Sequence, residues 1–370
     1  MAALLQPVLE KLGTPVHDTL FPYAWGPTLH AARISLAYQG LCRRYVGEQA
    51  KARAEAQAKA RAEAQAKARA EAQVKVKEGG KGGDEKQVNG NENEKKAGEK
   101  GEWGGETRGE MNWATYLAGY LVMAWGGTLL SHTLLSLHAP PLLSLAPWIN
   151  YLSVHIFLTL LFEYTGLPSL PKGMGGIGGI GLGALGGMGL DAALIPLDAL
   201  LRGNAVVGTV ALLHSNALAA SSSSSAASSA ASASTAAAAS LAAASFSPVF
   251  HAILGASASA GGGVLATSLR TYTPHWGLHT PTFLVGAGAS RSVLISAADV
   301  WAGALVGVLA GVMNGRVDFG DGVLAQAVNG VISSFGGQGK EGGVVIGAKA
   351  AATYVYAGVF AWKVWMLQKK

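Results

Sequence analysis

Cysteine is nearly absent: Cys42 is the only one in 370 residues. An intrachain disulfide and a cysteine-based metal site are therefore excluded. Charge is also scarce over most of the length. More than half of the Asp, Glu, Lys and Arg side chains lie between Arg43 and Glu110, and no Lys or Arg occurs between Arg202 and Arg270. A soluble domain carries charge on about a quarter of its residues throughout. No G-x-S-x-G elbow occurs, and no pair of carboxylates inside an apolar run suggests acid–base work. An enzyme is not expected, and no cofactor is implied. The first twenty residues contain Glu10, Lys11, His17 and Asp18 and lack a signal peptide's apolar core.

What fills the charge-poor stretches is Leu, Ala, Val, Gly and Trp in runs of about twenty, the length that crosses a bilayer's hydrocarbon core. The clearest runs are Trp113 to Leu135, Leu145 to Leu167, Pro248 to Leu269, Ser292 to Met313 and Val344 to Met366. Two weaker ones are Leu20 to Leu41, interrupted by Arg33, and Gly203 to Ala220, bounded by Asn216. The expected fold is all-α and polytopic, with seven transmembrane helices. The net charge of +6 is read as basic residues flanking membrane helices rather than as a nucleic-acid footprint. The connection His138 to Ser144 carries no acid, Lys or Arg, whereas the loop after Arg43 and the end at Lys363, Lys369 and Lys370 are basic. The positive-inside rule then puts the C-terminus in the cytosol.

Three domains are expected: 1–42 with the first helix, 43–110 as a charged cytosolic insertion, and 111–370 as the membrane body. In the insertion an eight-residue repeat, KARAEAQ followed by Ala or Val, starts at Lys51, Lys59 and Lys67. Its residues are strong helix formers. Glu55–Lys59, Glu63–Lys67 and Glu71–Lys75 stand at i,i+4 in the favourable order. No face is apolar, so a solvated single helix is expected rather than a coiled coil. From Glu78 to Glu110 the composition implies disorder. The Gly-rich tract 173–189 and the Ser/Ala-rich tract Ser221 to Ser245 read as insertions and flexible linkers.

Gly181-Leu-Gly-Ala-Leu-Gly186 matches G-x-G-x-x-G but lacks the strand, helix and acid that a dinucleotide site needs. His275 and His279 have the i,i+4 spacing of two metal ligands, yet Pro274, Gly277 and Pro281 argue for a loop. The stronger signal is an internal echo. Gly126-Gly127-Thr-Leu129-Leu-Ser131 in the second run answers Gly262-Gly263-Val-Leu265-Ala-Thr267 in the fifth. Adjacent glycines loosen a helix and expose carbonyls that can face a cation. They also let helices pack closely. Glycine-interrupted helices in corresponding places of two halves point to an inverted repeat, here 3+3 with one C-terminal helix left over. Arg33, Asp198, Arg202, Arg270, Arg291, Lys349 and Lys363 are candidates because they lie in or near spans. His132 and His155 lie deeper, and hydrogen-bonded packing is their expected role.

On these residues the chain resembles the trimeric intracellular cation channel family. The resemblance runs through Leu20-Phe-Pro-Tyr23, Trp113-Ala-Thr-Tyr-Leu117, Met123-Ala-Trp-Gly-Gly127 and Leu134-Leu135 before Pro140-Pro141. It continues through Pro196-Leu-Asp198 with Arg202, Gly261-Gly-Gly-Val-Leu265 with Arg270, and Lys363-Val364. It covers about 220 residues in order and skips the low-complexity insertions. It implies a homotrimer in an endoplasmic reticulum or nuclear membrane, each protomer passing potassium ions to balance charge during calcium release. The implied pore lies between the second and fifth spans, lined by Gly126, Gly127, Ser131, Gly261, Gly262, Gly263 and Thr267. Membrane lipids, phosphoinositide among them, are the other implied partners; nucleic acid is not. This sequence departs from the family at the fourth helix. Ala217-Leu218-Ala219 stands where the family has Lys-Glu-Val and further basic residues, with His214 just before. The lipid-binding residues are therefore unassigned. A basic residue before the fifth-helix glycines is replaced by Ser259 or Ala260. A secondary transporter and a non-conducting scaffold remain open as alternatives.

Overall fold

Helix follows where the chain offers long runs of Ala, Leu and other good helix formers, and in the described helices proline, Pro7 excepted, is confined to first turns. The computed structural model describes residues 2–78, 111–165, 194–224, 239–281, 293–317 and 341–368, with single positions at 284, 326 and 330. The Gly-rich tract with its G-x-G-x-x-G match, residues 79–110, Arg291 and the terminal lysines lie outside them. The elements are α1 (Ala2–Leu12), β1 (Pro15–His17), β2 (Phe21–Ala24), α2 (Trp25–Glu78), α3 (Trp113–Leu134), α4 (Pro140–Leu143) and α5 (Ala146–Thr165). They continue as α6 (Ile195–Ser224), α7 (Pro248–Ser268), α8 (Val293–Ser296), α9 (Ala298–Met313) and α10 (Glu341–Gln368). The described residues are all-α apart from one small antiparallel hairpin that sets Pro15 opposite Ala24 and His17 opposite Phe21.

Several boundaries differ from the sequence reading. The first span and the described part of the charged insertion, residues 43–78, are one helix: α2 runs 54 residues without interruption through Arg43 and Arg44, about 80 Å at 1.5 Å per residue. It begins only after the hairpin, because Pro22 and the β1–β2 pairing hold Phe21–Ala24 extended. Its i,i+4 ion pairs include Lys51–Glu55 at 3.8 Å and Lys59–Glu63 at 3.9 Å, with lysine leading. The fourth apolar helix starts earlier than Gly203, at Ile195, since Pro196 is tolerated in a first turn and Asp198 there suits the helix dipole. The sixth run is broken at Ala297 into α8 and α9. Within the Ser/Ala tract the described residues 221–224 and 239–244 are helical rather than irregular. Among the described residues two helical segments, Ile195–Ala219 and Pro248–Ser268, are long and apolar enough to cross a membrane, and Ala298–Met313 is a shorter apolar helix.

Side-chain burial separates two cores. Tyr38 and Cys42 of α2 pack with Tyr116, Tyr120, Ala124 and Trp125 of α3, and Trp148 and Tyr151 of α5 lie against them. The second core is mostly Val and Ala, with two rings from α10: Val206 and Val210 of α6, Ala302 and Val306 of α9, and Ala351, Tyr356 and Phe360 of α10. Leu135, Leu213 and Leu254 form a third cluster where α3, α6 and α7 meet.

Three helices end alike. Leu137 N–H donates to His132 O, Thr271 N–H to Ala266 O and Arg316 N–H to Gly311 O, while Ser136, Arg270 and Gly315 donate three residues back. These are Schellman motifs, which need a left-handed residue after the cap. Gly315 takes that conformation freely; Ser136 at φ 56° and Arg270 at φ 48° take it despite their side chains.

Candidate functional site

The two glycine pairs meet. A Cβ on Gly126 would stand 2.9 Å from Gly262 Cα, and one on Gly261 would stand 2.9 Å from Gly127 Cα. Around them the contacts are also reciprocal: Gly126 faces Leu265 Cδ1 at 2.9 Å and Gly261 faces Leu130 Cδ1 at 3.0 Å. A Cβ on Gly262 would strike Met123 O, and one on Gly127 would approach Ala258 O at 3.1 Å. Further along, Gly119 lies against Thr271 O while Gly127 lies against Ser257 O, so α3 and α7 run antiparallel. The contacts equate Gly126 with Gly261, Gly127 with Gly262 and Leu130 with Leu265. The same interval relates the N-caps Asn112 and Ser247. This is one residue out of register with the sequence echo, which equates Gly126 with Gly262.

The register matters for Gly263. It has open space where a side chain would be, while Gly261 and Gly262 are in the crossing. Both helices continue unbroken through their glycines. At this level the glycines of α3 and α7 fill each other's faces. Ser131 is 1% exposed and its Oγ has no hydrogen-bond partner. Thr267 Oγ1 instead donates back to Gly263 O at 2.9 Å.

On its other flank α7 packs against α9 through a second glycine stripe that sequence reading passed over. Gly303, Gly307 and Gly311 recur every fourth residue, and Gly303 and Gly307 face Gly255. Small residues at that spacing let backbones approach where hydrophobic driving force is weak.

The charged candidates converge near Ser259. Asp198 Oδ2 accepts from Arg202 Nε at 3.1 Å, and its Oδ1 lies 3.6 Å from Arg33 Nε. Arg202 Nη1 also donates to Ser259 O at 2.8 Å, and Ser259 Oγ donates to Asp299 O at 3.1 Å. Lys363 Nζ completes the set, donating to Asp299 Oδ2 at 3.2 Å. Arg202 additionally lies over the Phe360 ring, 5.4 Å from its centroid. Five charged groups from α2, α6, α9 and α10 are thus gathered around the middle of α7. Both acids sit in first turns, where the helix dipole favours them. Asp299 was missed in the sequence; an acid inside the apolar run Ser292 to Met313 was the signal that could have found it.

The remaining candidates lie apart. Arg270 is exposed at the left-handed end of α7. Beside it, burial raises the Tyr272 hydroxyl above its ordinary pKa, and the Arg270 charge opposes that shift. Lys349 is half-buried on α10. His275 and His279 lie in irregular chain, as their flanking prolines and glycine imply. His132 Nδ1 bonds Thr128 O at 2.9 Å. His155 is wholly buried, stacked on Tyr120 with centroids 3.8 Å apart and bonded to Ser35 Oγ at 2.7 Å. It belongs to a polar ladder, unread in the sequence, that ties α2 to α5. Thr28 meets Asn150 at 3.2 Å and Gln39 meets Thr159 at 3.3 Å.

Among the described residues no group of three or more His, Cys, Asp or Glu could hold a metal ion. Comparison with protein-family models, with curated proteins and with solved structures gives no match.

Proposed function

We propose that the chain is a cation channel of an intracellular membrane, passing potassium as counter-ion during calcium release. Seven spans make up its membrane body: the first part of α2, then α3, α5, α6, α7, α8 with α9, and α10. The first three and the next three form inverted halves, and α10 stands outside them. The observation that carries this reading is the reciprocal, antiparallel glycine crossing of α3 and α7. Equivalent contacts on helices of opposite direction are what an inverted repeat produces at its axis, and transport sites in such folds lie near it.

The permeation path flanks the crossing, since the glycines themselves are in contact. Ser131, with its unpartnered Oγ, and Gly263, with its open face, border it. Polar groups that would be costly facing lipid, such as Asn150, His155 and Thr159, are turned into the bundle. Three such chains assemble as a homotrimer, and the basic ends of α2 and α10 lie in the cytosol, as the resemblance implies.

Recording from purified full-length protein in planar bilayers tests this. Potassium current under voltage alone is expected. Flux that appears only with a co-substrate would assign a transporter instead. Verified insertion without any flux would leave the scaffold reading, in which removing 51–110 abolishes partner recruitment.

A further inference from the structure

The two halves repeat more than the glycine crossing. Trp148 Nε1 donates to Pro141 O at 2.7 Å and Trp301 Nε1 to Leu294 O at 2.9 Å, each seven residues back into a four-residue helix. That matches α4 and α5 with α8 and α9, and Trp148 with Trp301. Arg33 stands six residues after Pro27 in α2, and Arg202 six residues after Pro196 in α6. Arg33 and Arg202 are thus counterparts, and they meet on one carboxylate. Asp198 Oδ1 lies 3.6 Å from Arg33 Nε, and its Oδ2 accepts from Arg202 Nε at 3.1 Å.

The acids do not repeat. On the same spacings Asp198 corresponds to Leu29 and Asp299 to Ala146, so both carboxylates belong to the second half. Arg33, Arg202 and Lys363 share them, which leaves one positive charge in excess. The excess falls on Arg33. Arg202 also donates to Ser259 O at 2.8 Å and lies over the Phe360 ring, and Lys363 donates to Asp299 at 3.2 Å. Among the described residues Arg33 has no ion pair but the 3.6 Å one, its Nε makes no hydrogen bond, and its side chain keeps 19% exposure.

Transport sites in inverted-repeat folds lie at the interface of the halves, and counterparts that meet lie on its axis. An unbalanced arginine there is an electrostatic barrier. Its repulsion scales with the charge of the passing ion, so it opposes a divalent cation twice as strongly as a monovalent one. We propose that Arg33 is the specificity-determining residue of the path, admitting monovalent cations and rejecting divalent ones. This assignment rests on the channel reading and gives that reading the residue behind its selectivity.

Bilayer recordings of the full-length protein with K+ on one side and Ba2+ on the other give the permeability ratio from the reversal potential. Arg33→Gln should raise the relative Ba2+ permeability by about tenfold, most at low ionic strength, where screening is weakest. Arg33→Lys keeps the charge and should retain the exclusion. Asp198→Asn frees a further positive charge and should shift the ratio the other way, with a smaller K+ current; it decides the matter if the neutral Arg33 variants do not fold. In a Cys42→Ala background, Arg33→Cys should pass Ba2+ until a cationic methanethiosulfonate restores the exclusion, and a neutral reagent of similar size should not restore it. An unchanged ratio in Arg33→Gln with K+ current intact overturns the assignment while the channel stands. No current from the unmodified chain with any ion removes the channel reading and the assignment with it.

Discussion

Gly126 and Gly262 touch backbone to backbone, with a Cβ on the first calculated to fall 2.9 Å from the Cα of the second. At this distance the two helices exclude any side chain from the crossing. The glycines of α3 and α7 therefore act first through what they lack.

That distinguishes Gly262 from its neighbour. Gly262→Ala drives a methyl into the Met123 carbonyl oxygen and should destabilise by about 1–3 kcal/mol, as overpacking does. Gly263→Ala meets open space and should be neutral or stabilise by up to about 1 kcal/mol through helix propensity. Thermal melts of the two variants in one detergent check this. Equal losses would mean that both glycines serve backbone flexibility instead.

The ion network makes a graded prediction. Asp198→Asn leaves both Arg33 and Arg202, half-buried like the carboxylate itself, without their shared partner, and should cost about 1–3 kcal/mol, less than a fully buried pair. Asp299→Asn breaks one direct ion pair, that with Lys363, in which the side chains are 32% and 21% exposed, and leaves Arg202 its own contact to Asp198. It should cost about 1 kcal/mol. A larger loss for Asp299→Asn in the same melts would contradict this order.

Removing residues 51–73 should leave the melting temperature and the described bundle intact. Every one of those residues is exposed, and solvated i,i+4 pairs contribute about 0–1 kcal/mol. Far-UV circular dichroism should lose only the helix of the deleted segment. A cooperative loss of the remaining helix would show that the rod packs on the body.

Ser136 holds φ 56° at the end of α3, a conformation that costs a non-glycine residue about 1–2 kcal/mol. Ser136→Gly should therefore stabilise by roughly 0.5–1 kcal/mol, after the entropy glycine loses on folding. A lower melting temperature would mean that the serine hydroxyl supplies more than the strain removes.

How much of this was legible depended on the kind of interaction. Apolar runs located the cores of α3, α5, α7 and α10 because lipid and protein interior select the same residues. Helix ends were harder to place. Pro196 and Asp198 are start signals for α6, but they precede the apolar stretch at Gly203 by several residues, so hydropathy alone does not reach the helix end at Ile195. The continuity of α2 follows from high propensity on both sides of Arg43, with Gly40 and Gly47 as the glycines flanking it. The glycine echo found the right helices in the wrong register, since sequence similarity and spatial equivalence need not align residue for residue. Pairings across helices left no trace. His214 and His251 bring their Nε2 atoms within 3.0 Å although they are 37 residues apart, and neither marks the other in the sequence.

The unbroken helix from Trp25 to Glu78 joins a residue inside the ion network to a rod that is exposed from Lys51 through Gln73. Arg33 and Glu78 are 45 residues apart on that helix, about 68 Å at the helical rise. A tilt of about 10° around Arg33 would sweep the tip through roughly 12 Å of water. Read in the other direction, α2 is a lever arm: a displacement at its outer end reaches the Asp198 contact reduced in size and magnified in force.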